Sequence, residues 1–591
     1  MEAPIVRKGA CFLTGWEREL LEGEAEVFRF YLGGQSPRNP AKGTEEEVLL
    51  EWSMPYVDMA GIWSPLCGMN RSIDADYGRF RESMTARSAP VACLFGEDGG
   101  NRCTMAVSET RERIGIRAGV REENSMLILQ VRFPVCILKK AAPKEGGSYE
   151  LDVRMDTGRR PFYHAVQAVA KWWEEECGIL PVLTPEAARE PVYSTWYAYH
   201  QNLFAEEIEE ECRLAAELGF RTVILDDGWQ TDDNNRGYAF CGDWQVSERR
   251  FPDFGEHIRK VHAMGLKYMI WYSVPFMGIR CGKWEEYRNM LLSFDDNPLI
   301  QAGVLDPRYK EVRDYLADTY ERAVMEWNLD GLKLDFVDCI VEQADSQAYN
   351  PERMDFESVQ EALDCLMSTV YERLSAKSGD IMIEFRQGYI GPNMRRYGNM
   401  LRVADCPDSA IRNRVGTVDL RLLSGRTAVH SDPLMWHEDE APEAAAIQII
   451  SSIFSTPQIS VKMKALTPEM REMLRFWLGF MGENRALLQE QSICALEPHN
   501  LYPVVWTQKD GRAITAVYSG NRILRIPEGV ADWMVLNGTK EEGLVLDVGD
   551  VTGAVAVTDC YGNPVEGALG GRTGRFLEVR VPVSGMVHWK R

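Results

Sequence analysis

The chain has 591 residues, 45% hydrophobic, 26% charged and 10% aromatic. Those are globular values, and they exclude a disordered, collagen-like or wholly membrane-embedded chain. Sixty-six basic residues against eighty-nine acidic ones leave a formal charge of −23, a field that repels phosphate backbones and argues against nucleic acid as a partner.

Length points to about two to four domains, because one barrel can absorb ~250 residues. The first residues, MEAPIVRKGACFLTGWEREL, carry charges too closely spaced for an export signal. The apolar run around Ala444 to Phe454 is broken by Gln448, Ser451 and Ser452 and is too short to span a bilayer. The fourteen cysteines include no CxxC pair, and the eight histidines show no HxxxH or HExxH spacing. Zinc and redox motifs therefore fail on spacing. Scattered cysteines without an export signal suit a reducing cytoplasm.

In chain order, residues 1–160 hold short alternating runs such as VFRFYLGG, EEVLLEWS, SMLILQVRFPV and YELDVRM, with a hairpin signal at EDGGN. They predict an N-terminal β-sandwich. Residues 161–191 read as a helix (PFYHAVQAVAKWWEEEC) and a proline-containing linker. From about Val192, eight apolar runs alternate with helical stretches: 192–198, 221–229, 265–274, 331–338, 380–387, 400–408, 426–433 and 457–463. Runs apolar on both faces and separated by helices predict parallel strands covered on both sides. Eight of them predict a (β/α)8 TIM barrel over 192–490. An open doubly wound sheet is the alternative, but no glycine-rich phosphate loop follows any run. The interval 387–400 is too short for a full helix. Residues 491–591 return to short strands and predict a C-terminal antiparallel β-sandwich. The fold class is thus multidomain α/β, a central barrel between two β domains.

Catalytic groups of a barrel gather at the carboxyl ends of its strands. Asp226 and Asp227 end the second run, Lys333 and Asp335 lie on the fourth, and Arg386 ends the fifth. Asp405 and Asp408 end the sixth, His430 and Asp432 the seventh, and Trp196, Trp229, Trp244, Trp271 and Tyr272 fall near the same rim. Carboxylates among aromatic platforms suit a sugar, whose CH faces stack on rings while its hydroxyls pair with charged acceptors. Each residue also has a plain structural reading. Asp-Asp-Gly is a turn sequence, Asp405 or Asp408 suits a helix cap, His430 suits a satisfied strand end, and the tryptophans suit a core. Lys333 and Asp335 point to the same face, which is either a polar cavity or a buried ion pair.

The order STWYAYH, AAELGFRTVILDDGWQ, GDWQ, RFPDFGEHIRKVHAMGLKYMIWYSVP, VLDP, DGLKLDF resembles glycoside hydrolase family 36, the α-galactosidase-like group of clan D. The resemblance covers about 192–465. It implies a retaining exo-α-glycosidase, α-galactosidase-like, with a barrel between two β domains. Carried across, Asp335 in KLD is the nucleophile, and Asp405 in ADCPD is the acid/base. Asp408 is the second Asp of that motif, Asp226 and Asp227 bind sugar hydroxyls, and Lys333 contacts the sugar. Trp196, Trp229 and Trp244 line the pocket. The pattern departs at Leu334 and Val337, where the family has Trp and Asn, and at FRQGYIGP, which puts Arg386 near the cysteine of a C-S-G-G-G stretch.

The implied chemistry is double displacement. Asp335 attacks the anomeric carbon while Asp405 protonates the leaving oxygen, then activates water. The expectation is that Lys333 keeps Asp335 ionised and that burial, with the Asp335 charge, keeps Asp405 protonated. Arg386 either holds an acidic or N-acyl group on the sugar or pairs with a site carboxylate. The same mechanism on another sugar, an α-transglycosylase and a non-catalytic sugar-binding homologue are the alternatives. A metal-dependent enzyme using Asp226, Asp227 and Asp335 is weaker, because no histidines join them in ligand spacing. No metal or cofactor is expected. The expected partner is an oligosaccharide or glycoside, with homo-oligomers allowed and neither nucleic acid nor membrane.

Overall fold

A computed structural model of the protein describes residues 3–33, 47–134 and 149–591. The ends of three expected strands, at Gly34, Glu46 and Val135, lie outside those residues. The chain divides into two compact units. One is the chain to Pro181 with the segments Gly388–Arg396 and Glu497–Asn500. The other is Val182–Gln387, Tyr397–Leu496 and Leu501–Arg591.

The first unit is built on two six-stranded sheets. Its alternating runs become antiparallel strands such as Ala25–Leu32, Glu47–Pro55, Met126–Pro134 and Tyr149–Asp156. Their inner faces enclose a core in which Trp52 meets Phe28 and Phe30 edge-on, with ring centroids 5.6 and 6.0 Å apart. The EDGGN turn joins Val91–Phe95 to Asn101–Val107 as an antiparallel hairpin. Its Gly99 has φ 69°, a conformation that side chains disfavour. The helix Phe162–Glu175 belongs to this unit: Phe162, Val166, Val169 and Trp173 form its buried stripe. Trp173 Nε1 donates to the Val107 carbonyl at 2.9 Å.

In the second unit the eight apolar runs are the eight strands of one parallel sheet. They are β1 (Val192–Ser194), β2 (Thr222–Leu225), β3 (Lys267–Ser273), β4 (Gly331–Asp335), β5 (Met382–Arg386), β6 (Met400–Arg402), β7 (Ala428–His430) and β8 (Gln458–Ile459). Parallel pairing runs from β1 to β7, and β8 pairs back with β1. Single parallel bridges, His430 to Thr456 and Leu434 to Ile459, close the ring between β7 and β8. Helices cover the outside and start where the sequence supplies caps. Asp253, Ser358, Ser409 and Thr467 each accept a backbone N–H of the first turn. Between β5 and β6 the described structure has only the short 3-10 turn Met394–Arg396.

After β3 the chain makes an excursion absent from the sequence reading: Phe276–Gly278, Leu291–Asp295 and Ala302–Leu305 form a small antiparallel sheet. The C-terminal region holds a six-stranded and a four-stranded sheet. It corrects one expectation, because these sheets are not wholly antiparallel. Arg512–Val517 pairs parallel with Asp532–Asn537, and Ile523–Arg525 pairs parallel with Gly543–Asp547. The chain crosses to the other sheet at Ile523–Arg525 before returning, so these two pairs run the same way while the remaining pairs are antiparallel. Among the described residues no helix is long and apolar enough to cross a membrane.

Candidate active site

The barrel interior is layered by the two-residue period of its strands. Val192, Ile224, Met269, Met382, Met400 and Ala428, with Ala188, form an apolar plug. Gly331 on β4 faces this layer, where a Cβ would lie 2.4 Å from the Met382 carbonyl. Two residues further along the strands come Asp226, Trp271, Lys333, Glu384, Arg402 and His430, all buried. Two further still are Asp335 on β4 and Arg386 on β5. The interior thus changes from apolar to charged towards the carboxyl ends, as the sequence reading required.

Lys333 Nζ bonds Asp226 Oδ2 at 2.6 Å, and both side chains are enclosed. Asp226 is fixed from behind by its own N–H, which donates to Thr195 Oγ1 at 3.0 Å. Asp227 accepts from Gln230 Nε2 on one oxygen and Gln201 Nε2 on the other, both at 2.7 Å. Burial, only partly offset by these amides, pushes its carboxyl up to about 7.

Asp335 is 8% exposed. Its Oδ1 accepts from Arg386 Nε and from Phe336 N, both at 2.8 Å, and its Oδ2 accepts from Trp271 Nε1 at 3.2 Å. Phe336 has φ 61°, and this left-handed turn brings its amide back onto the carboxylate, at a cost of about 1–2 kcal/mol. Burial pushes the Asp335 carboxyl up, but Arg386, then Lys333 and Arg402, outweigh it and hold the group far below the usual aspartate range. The expectation for the ionising group is corrected here. Lys333 contributes, but its bond is to Asp226, and Arg386 acts more strongly.

Asp405 stands beyond the end of β6 with its side chain 54% exposed, and Arg402 Nη1 donates to its Oδ1 at 2.9 Å. The same Arg402 nitrogen reaches Asp432 Oδ1 at 2.5 Å. Desolvation and the Asp335 charge push the Asp405 carboxyl up, but Arg402 and Lys333 outweigh them and hold it below its ordinary value. That direction runs against the expectation of a carboxyl held protonated by burial and the Asp335 charge. The physical reason is Arg402. Asp432 is fully buried and also accepts from Tyr197 OH at 2.9 Å and Cys406 N at 2.7 Å. Its burial, against the pull of Arg402, pushes it up to about 7.

Arg386 pairs with Asp335 and also with Asp338, at 3.4 Å. Asp408 is not gathered into the cluster: its side chain is 72% exposed and pairs with Arg412 at 3.6 Å. Trp229 is fully enclosed, stacked on Trp244 and Phe254, and its Nε1 donates to the Trp271 carbonyl at 2.9 Å. It backs Trp271 rather than lining a pocket, and Trp244 is 3% exposed in the same aromatic stack. Trp196 is half-buried and meets His200 edge-on at 4.7 Å. His430 is structural. Its Nε2 bonds the Ala188 carbonyl at 2.7 Å, Gln458 Nε2 bonds its Nδ1 at 3.2 Å, and burial drops its pKa to about 3. Sequence reasoning passed over Arg402, Gln201, Gln230 and Tyr197. Arg402 alone had a signal, an inward position on a strand at the right height.

The barrel has known counterparts. Residues 185–417 match the Melibiase family model. That match covers the first six strands of the barrel, and the chain is similar to glycoside hydrolase family 36. α-Galactosidase AgaA of Geobacillus stearothermophilus is 23% identical over 313 residues, 50% of this chain and 41% of that protein. The bifunctional α-galactosidase/sucrose kinase AgaSK of Mediterraneibacter gnavus is 23% identical over 374 residues, 61% of this chain and 38% of that protein. The matches thus span about two fifths of these curated relatives. Among solved structures, the family 36 α-galactosidase AgaB of G. stearothermophilus aligns with a TM-score of 0.65 at 17% identity. It covers 100% of this chain and 86% of that one. An AgaA variant in complex with raffinose aligns with a TM-score of 0.64 at 16% identity, with the same coverage of both chains. The chain therefore shares its architecture with those enzymes, a multidomain α/β fold that includes a TIM barrel.

Proposed function

We propose that the protein is a retaining exo-α-glycosidase of α-galactosidase type, acting on small oligosaccharides or glycosides in the cytoplasm. The observation that carries this reading is Asp335, an ionised carboxylate enclosed at the carboxyl end of β4 and bonded to Arg386 and Trp271. The charge of Asp335 also acts on Asp405, which supports reading the two acids as partners. The relatives that carry this barrel are named α-galactosidases, and one is described with raffinose.

In this mechanism Asp335 attacks the anomeric carbon and its carboxylate charge becomes an ester. The leaving oxygen takes a proton from Asp405. Arg402 holds that carboxyl below its ordinary value, so in this mechanism it takes up its proton as the sugar covers it. Losing the water around its exposed half raises its carboxyl. Once the ester has formed, Asp405 is again the base that deprotonates water. Asp226 and Asp227 are the proposed acceptors for sugar hydroxyls. Lys333 fixes Asp226, and the amides of Gln201 and Gln230 fix Asp227. The acidic-sugar reading of Arg386 finds no support in its contacts, which are the carboxylates Asp335 and Asp338. A metal bridging Asp226 and Asp335 is disfavoured because the Lys333 ammonium already neutralises Asp226.

The test is a panel of chromogenic α-galactoside, α-N-acetylgalactosaminide, α-glucoside and α-uronide. Hydrolysis of the neutral α-galactoside, abolished in Asp335→Asn, is the expected result. Activity surviving at the wild-type level in Asp335→Asn removes the assignment.

A further inference from the structure

Arg386 touches the proposed nucleophile directly, with Nε 2.8 Å from Asp335 Oδ1. It is braced there, its guanidinium 5.3 Å over the Phe336 ring and its Nη2 3.4 Å from Asp338. Phe336 N reinforces the same Asp335 oxygen at 2.8 Å. A guanidinium stays protonated at every working pH, so this charge is fixed. Its effect on a double displacement is unequal between the two halves. A charge-assisted hydrogen bond is strongest to an ionised acceptor. In the first half the carboxylate electron pair forms a bond to the anomeric carbon, the glycosidic C–O bond breaks, and the leaving oxygen takes the Asp405 proton. Arg386 stabilises the starting carboxylate and so opposes this loss of charge. In the second half water adds to the anomeric carbon, Asp405 takes its proton, and the C–O bond to Asp335 breaks with the electron pair returning to the carboxylate. Arg386 stabilises the charge that reappears.

We propose that Arg386, acting through Asp335, makes breakdown of the glycosyl-aspartate the fast half of the cycle and its formation the slow half. The inference rests on the glycosidase reading above. Two measurements test it, on the full chain with a nitrophenyl α-glycoside that the wild type hydrolyses. For the wild type, rapid mixing shows no burst of nitrophenol, and added methanol leaves kcat unchanged. For Arg386→Gln, kcat falls about tenfold or more while kcat/KM, which reports the first half, holds or rises. That variant also shows a burst, and its intact mass includes one covalently held sugar. A merely structural arginine would lower kcat and kcat/KM together. Arg386→Lys, which keeps the charge without the Nε geometry, gives a smaller burst and serves if the glutamine variant fails to fold. A wild-type burst, methanol acceleration of the wild type, or folded variants whose two constants fall in parallel without a burst overturn the inference. They do so while leaving the glycosidase reading intact. That reading fails separately, if the wild type cleaves no member of the panel.

Discussion

Lys333 and Asp335 lie two residues apart on β4 and face the same interior, yet each is held by a different partner, Asp226 and Arg386. Removing the ammonium in Lys333→Ala leaves Asp226 buried without its cation, and breaking one side of an enclosed ion pair costs about 3–5 kcal/mol. Thermal or urea unfolding reads the loss, and a change under about 1 kcal/mol would mean that Asp226 finds water instead. Arg402 sets a second consequence. Because it holds the Asp405 carboxyl below its ordinary value, the protonated acid becomes scarcer as pH rises. For a glycoside with a poor leaving group, kcat/KM is expected to fall towards about tenfold per pH unit above the ordinary aspartate range. A nitrophenyl glycoside, which needs little proton assistance, gives a flatter profile. Equal profiles for the two substrates contradict this role for Asp405.

Elements were legible where their period was forced by burial on both sides. The eight barrel runs stood out because parallel strands enclosed by helices read as nearly continuous apolar stretches, and each became a strand of one ring. Strands with one wet face were harder to read. Leu13–Leu20 is mostly exposed, and Leu569–Thr573 wholly so, and neither has the alternation that flags a strand. In the excursion at Phe276–Leu305, Leu291–Asp295 pairs with the next strand across a short loop, but Phe276–Gly278 joins them only through pairing some two dozen residues away. Two element-level predictions follow from close contacts. Gly331→Ala would place a Cβ 2.4 Å from the Met382 carbonyl, pushing β4 from β5 and costing about 1–3 kcal/mol or more. Unfolding at wild-type denaturant concentration would show that the strands part without cost. Trp173→Ala empties a fully enclosed site and strands the Val107 carbonyl. The expected loss is about 3–5 kcal/mol, and a Tm unchanged from wild type would refute it.

At the scale of the whole molecule, titration of the buried site controls stability. Asp227 and Asp432 are raised to about 7, so between roughly pH 4 and 7 the folded chain holds protons that the unfolded chain has lost. Stability therefore falls as pH rises through that window, by up to about 1.4 kcal/mol per pH unit for each proton. Asp335 and Asp405 are depressed. Their contribution is present above an ordinary aspartate value and is lost as pH falls below it. Tm should peak near the meeting of these limits, at about pH 4–5, and Asp227→Asn should flatten the slope above it. A Tm that climbs steadily from pH 4 to 7 contradicts the assignment. The same scale explains what the sequence left unread. Spacing along strands located the rim and its carboxylates, but which cation meets which acid depends on register between strands far apart in the chain. Hence Arg386 joined Asp335 and Arg402 joined Asp405, while exposed Asp408 and enclosed Trp229 fell outside the cluster. The most direct measurement is peptide mapping after reaction with a fluorinated α-galactosyl probe that traps the glycosyl ester. The sugar is expected on the peptide containing Asp335. A sugar found on Asp405 or any other residue, with Asp335 unmodified, would contradict the mechanism at its root.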